Sequence, residues 1–136
     1  MNNSPLSTIN SPLSSINSPL SKGPLWNKSF SFALRIVKLY QFLTEQRREY
    51  VLSKQLLRSG TAIGALVREA EQAESRADFI HKMAIALKEA NETAYWLELL
   101  NQSGYIDARG YESIYPEIVE LLKLLTAIIK SSKANT

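Results

Sequence analysis

Arg76 and His81 form R-x4-H, an arginine and a histidine of the kind a ribonuclease could use to hold a phosphate and move a proton. Five residues along a helix turn a side chain through roughly 140°, so the two would not converge from one helix. His81, the only histidine, reads more simply as a partly exposed structural residue. Glu89 and Glu92, three apart on one helical face, could contribute to a carboxylate metal site. Such sites in helical bundles rely on Glu-x-x-His pairs, and Asn91, Thr93 and Tyr95 supply no such ligand. The structural alternative is an i,i+4 pair of Lys88 with Glu92, while Glu89 meets a basic residue on a neighbour. No Ser-His-Asp set, glycine-rich phosphate loop or metal-ligand cluster is visible. The sequence therefore predicts no enzyme: no catalytic residue, no metal and no cofactor.

Charge offers a second kind of chemistry. Lys54, Arg58 and Arg68 are spaced by four and ten residues, which places them within about 80° on one helical face. Arg35 and Lys38, on the preceding helix, are candidates to lie beside them. From Lys22 to Arg68 nine basic residues face only Glu45 and Glu49, a net charge of +7; from Glu69 onward the balance is −4. A one-sided field of this kind steers a polyanion whatever the total charge. These five cations are the candidate contacts to an RNA or DNA backbone, through Coulomb attraction and counterion release. Few aromatic side chains share the face, so sequence-specific readout is not expected. The alternative is an ordinary solvated face.

The elements that would carry these residues are helices. At 136 residues the chain allows one domain, and zero cysteines exclude disulfides and thiolate metal sites and fit a reducing cytoplasm. No apolar run approaches the ~20 residues of a membrane span, and MNNSPLSTIN lacks the marks of a signal peptide. A cytoplasmic protein without membrane contact is expected. Residues 3–23 repeat NSPLSTI, NSPLSSI, NSPLSKG, with Pro5, Pro12 and Pro19 barring a helix in each unit. Residues 1–26 therefore read as a disordered tail.

Residues 29–133 read as an all-α, antiparallel up-down four-helix bundle. Helix 1 is expected over Ser29–Thr44, with Phe32, Ile36, Leu39 and Leu43 on its apolar face. Helix 2 is expected over Val51–Gln72, where Gly60 and Gly64 mark a close approach of a neighbouring backbone. Helix 3 is expected from an N-cap at Ser75 to Gln102, closed by Gly104. Helix 4 starts near Asp107, and Pro116 predicts a kink or break within it.

Helix 3 carries more apolar surface than one core needs. Phe79, Met83, Ala86, Leu87, Ala90, Ala94 and Leu97 share a face, whereas Ile85, Trp96, Leu99 and Leu100 point elsewhere, interleaved with Glu89 and Glu92. Either this helix meets two neighbours within the bundle, or Ile85, Glu89, Glu92, Trp96 and Leu99 form a subunit interface centred on the tryptophan.

RSGTAIG at Arg58–Gly64 and ADFIHKMAIALKEANETAYWLELL at Ala77–Leu100 resemble the four-helix-bundle proteins encoded in intervening sequences of bacterial 23S ribosomal RNA genes. The chain is also similar to the accessory proteins of diversity-generating retroelements. The resemblance implies a homopentameric ring, association with RNA or DNA, and a partner protein such as a reverse transcriptase. Where such relatives read GANIAEA, this chain has Gly64-Ala-Leu-Val-Arg-Glu-Ala70. Leu66 thus replaces a polar amide, and Arg68 adds charge to the basic face.

Overall fold

The computed structural model describes residues 23–135. Four helices, α1 (Pro24–Glu45), α2 (Leu52–Ala70), α3 (Arg76–Gln102) and α4 (Ala108–Ala134), are joined by links of five or six residues. Each helix packs on its sequence neighbours, α4 returns to α1, and the diagonal pairs stay apart. Contacts such as Lys28 with Glu120 and Arg35 with Glu117 run in opposite chain directions. The architecture is the expected all-α antiparallel bundle. The disorder expected of residues 1–26 falls largely outside the described residues, but Pro24, Leu25 and Trp26 form the first turn of α1, so the tail stops short of Trp26.

α1 begins five residues ahead of the expected Ser29. Pro24 occupies its first turn, where a missing N–H costs nothing and a fixed φ suits the helix. Leu25 and Ser29 are then buried one turn apart, extending the stripe of Phe32, Ile36 and Leu43.

The joint between α1 and α2 turns without glycine or proline. Arg48 adopts the left-handed region (φ 53°), and the Glu49 N–H donates to the Leu43 carbonyl at 2.9 Å. The buried Glu49 carboxylate then accepts from the N–H groups of Val51, Leu52 and Ser53 at 3.1, 2.9 and 2.6 Å. These are the donors that the start of α2 leaves without intrahelical partners. Burial pushes the Glu49 carboxyl up, but those hydrogen bonds together hold it below the usual range.

α3 starts where the sequence placed it: Ser75 Oγ accepts from the Asp78 N–H at 3.0 Å. Its end is closed by Gly104 in the left-handed region (φ 89°), with the Tyr105 N–H donating to the Leu100 carbonyl at 2.9 Å. Asp107 caps α4 by accepting from the Gly110 N–H at 2.8 Å.

α4 runs unbroken through Pro116, so the expected break does not occur. The proline removes one backbone donor, and the Glu112 carbonyl it would have bonded lies on an exposed stretch open to water. Arg35 reaches across from α1 to the adjacent Ser113 carbonyl at 3.2 Å.

Burial follows a heptad. On α2 the heptad positions are Ser53, Leu56, Gly60, Ile63, Val67 and Ala70, with Ser59 and Gly64 buried beside them; on α3 burial falls at Met83, Ala86, Ala90, Thr93, Leu97 and Leu100. Alternating steps of three and four keep one seam facing the partner over the whole length of a supercoiled helix. A straight 100° count drifts by about 20° per heptad, and that drift put Leu100 off the core face. Leu100 is in fact fully buried. A Cβ at Gly64 would lie 3.3 Å from the Ser29 carbonyl oxygen, so the close approach is to backbone there, whereas at Gly60 it is to the Ile36 side chain.

Candidate interaction surfaces

The outer seam between α2 and α3 is built on charge. Arg58 reaches Glu89 at 3.2 Å and Glu92 at 2.5 Å, so its acidic partners come from the next helix. The Trp96 indole N–H donates to the same Glu92 carboxylate at 3.1 Å. That hydrogen bond first, and the one from Arg58 second, hold the Glu92 carboxyl below its usual range; Glu92 in turn raises Arg58. Glu89 thus meets a basic residue on a neighbour as expected, while Glu92 is engaged by Arg58 and Trp96 in place of an ion pair with Lys88. Beneath the seam, the Thr93 hydroxyl meets the Ser59 hydroxyl at 2.9 Å and the Glu89 carbonyl at 2.8 Å.

The interface candidates Ile85, Glu89, Glu92, Trp96 and Leu99 all line this flank, and all are half-buried within the single chain. Trp96 packs partly on the core. Tyr95 stands beside it, 57% exposed, its ring edge-on to the indole at 5.1 Å between centroids. Periodicity does not single it out, because it sits on the polar outer face of α3.

The five candidate cations do not form one row. Arg35 is turned to α4, bonding Glu117 at 2.5 Å and Ser113 Oγ at 2.8 Å. Lys38 lies on the same side of α1, where it and Arg35 border a cavity of 280 Å³ floored by Leu39, Ile106 and Ile114. Arg68 covers the Trp26 and Phe30 rings at 4.5 and 4.9 Å from their centroids. Such stacking gives the Arg68 guanidinium its partners within the bundle. Lys54 is exposed, and neither it nor Lys38 has an ion-pair partner among the described residues.

Arg76 donates to the Ser132 carbonyl of α4 at 3.4 Å, and His81 is exposed near Asp78. Among the described residues no group of His, Asp and Glu is arranged to hold a metal ion. Among the described residues no helix is long and apolar enough to cross a membrane.

A second surface carries apolar side chains into solvent. Phe30, Leu34 and Val37, at i, i+4 and i+7 on α1, are 47, 52 and 38% exposed. They lie outside the stripe that faces the core, and helical periodicity alone does not separate such residues from core ones.

A comparison with curated proteins found no match. Among solved structures, one from the S23 ribosomal protein family of Bacteroides thetaiotaomicron VPI-5482, described as a protein with unknown function, is 61% identical. It aligns over 78% of this chain and 98% of that one, with a TM-score of 0.77. A family model described as 23S rRNA-intervening sequence protein matches residues 22–127, which spans all of α1 to α3 and most of α4. The chain belongs to the 23S rRNA-intervening sequence protein family.

Proposed function

We propose that this protein is a non-catalytic, self-assembling helical bundle that serves as an interaction scaffold or adaptor. The observation that carries this reading is the contrast between its two kinds of surface group. Arg35, Arg58 and Arg68 are engaged within the bundle, whereas Phe30, Leu34, Val37 and Tyr95 are left in solvent. Apolar side chains aligned along a helix mark protein contact more often than chance exposure. The family resemblance supports a homopentamer and a partner protein such as a reverse transcriptase. Light scattering on the purified protein tests self-assembly directly: a species several times the 15.3 kDa chain mass is expected, and a monomer overturns it.

A second reading, binding to the RNA or DNA backbone, draws on Lys38 and Lys54, which stand exposed, and on the +7 balance of residues 22–68. Its test is a binding titration against salt. Phosphate contacts give a logarithmic slope of about −0.9 each for duplex DNA and about −0.7 for single strands. Changing Lys38 and Lys54 to Gln together should flatten that slope alike for unrelated sequences. Binding without salt dependence, or none, rules the reading out.

A further inference from the structure

We propose that the exposed stripe of α1 in one copy docks against the Tyr95 flank of α3 in a second copy. The contact is head-to-tail between two different faces. The inference rests on the self-assembly reading above and names both halves of the contact.

The stripe has the form of a helix face built to be covered. Phe30, Leu34 and Val37 recur at the spacing by which one helix side is read by a partner. Its border is cationic: Arg68 lies over the Phe30 ring and Lys38 adjoins Leu34 and Val37 in the helical turn. No carboxylate occurs on α1 before its last residue, Glu45.

That border decides what can cover it. Placing the stripe on its own copy through a two-fold axis would set these cations against each other, because a self-complementary interface repeats the same patch on both sides. Like charges so juxtaposed oppose association. The other half of the molecule has the opposite sign, with a balance of −4 from Glu69 onward. Within that half, Tyr95 is the large apolar side chain most exposed to solvent. It is held edge-on by Trp96, which is itself tied to Glu92, so little ordering is left to be done on binding. Glu98, exposed three residues further on the same helix, adds a carboxylate to that side of α3, with Lys88 an exposed cation on its outer face. Aromatic anchors framed by charge are the residues that dominate binding energy at protein interfaces.

A head-to-tail contact has a signature that a two-fold contact lacks: each copy carries one of each face. Leu34→Glu should spoil only the first face and Tyr95→Glu only the second. Both positions are exposed, so helical circular dichroism should be retained, and Leu34→Ser repeats the test without adding charge. Each variant alone should be monomeric by light scattering, while an equimolar mixture should give a dimer at twice the monomer mass. In that dimer the intact α1 of one variant meets the intact α3 flank of the other. A monomeric wild type overturns self-assembly and this contact together. An oligomeric wild type whose mass survives Leu34→Glu and Leu34→Ser leaves self-assembly standing and overturns the contact. Two monomeric variants that do not pair when mixed also overturn it.

Discussion

Arg58 of α2 and Trp96 of α3 share one carboxylate: the guanidinium lies 2.5 Å from Glu92 and the indole nitrogen 3.1 Å from it. The tryptophan is thereby fixed from inside its own bundle. Its orientation depends on an ion pair that crosses to the neighbouring helix, so two of the interface candidates, Glu92 and Trp96, act as one unit.

Arg58→Gln should therefore have a small effect on stability. The Arg58 side chain is 51% exposed, and exposed pairs contribute about 0.2–1 kcal/mol. A melting temperature lowered by no more than a few degrees is expected, together with a change in Trp96 fluorescence as the indole loses its fixed acceptor geometry. A drop of tens of degrees would show that the pair bears on the core.

Glu49→Ala should cost more, about 0.5–2 kcal/mol, as for other helix caps. The folded-state pKa of Glu49 lies below its unfolded value, so the unfolded chain takes up the proton more readily. Its contribution is complete above the ordinary carboxylate range and fades as the pH falls through the folded value. Denaturant midpoints measured from pH 7 to pH 3 should thus decline less steeply in Glu49→Gln than in wild type.

Glu71 behaves in the opposite sense. Burial raises its pKa, and its Oε2 has no hydrogen-bond partner among the described residues. A raised folded-state pKa favours the folded protein at low pH, and the advantage is lost as the pH climbs through that value. Glu71→Gln should raise the melting temperature at pH 7 and change little at pH 4. An equal effect at both values would place the cause elsewhere.

Ser59 and Thr93 form a buried hydroxyl pair between α2 and α3. Thr93→Val leaves the buried Ser59 hydroxyl with only its long bond to the Leu56 carbonyl at 3.4 Å and should cost about 1–3 kcal/mol. Adding Ser59→Ala should then cost less than it does alone, because no polar group remains to be satisfied. Chemical denaturation of the four proteins of the cycle measures that coupling directly.

The helices themselves were legible because apolar periodicity, Ser75, Gly104 and Asp107 all speak through local chemistry. The start of α1 was not, since Pro24 adjoins the proline-bearing repeats and reads as their continuation. Arg48 was equally opaque: a left-handed arginine is not announced by its type, and Glu49 acquires its role only once the turn is made. The cations were expected to share one face, and they do not, because a side chain as long as arginine chooses its partner across helices. Arg35 turned to α4, Arg58 to α3 and Arg68 to the rings of α1.

The ring of neighbours in this bundle is closed by α4 against α1, and every other packed pair is consecutive along the chain. Most contacts therefore form between segments separated by one short turn, which keeps the loop-closure entropy of each step small. Folding can advance hairpin by hairpin while synthesis is still under way. The α1–α4 seam, where packing is thinnest and a cavity remains, is the one that brings together segments far apart in the chain. The kinetics of folding should therefore be fast and insensitive to changes confined to the final turns of α4.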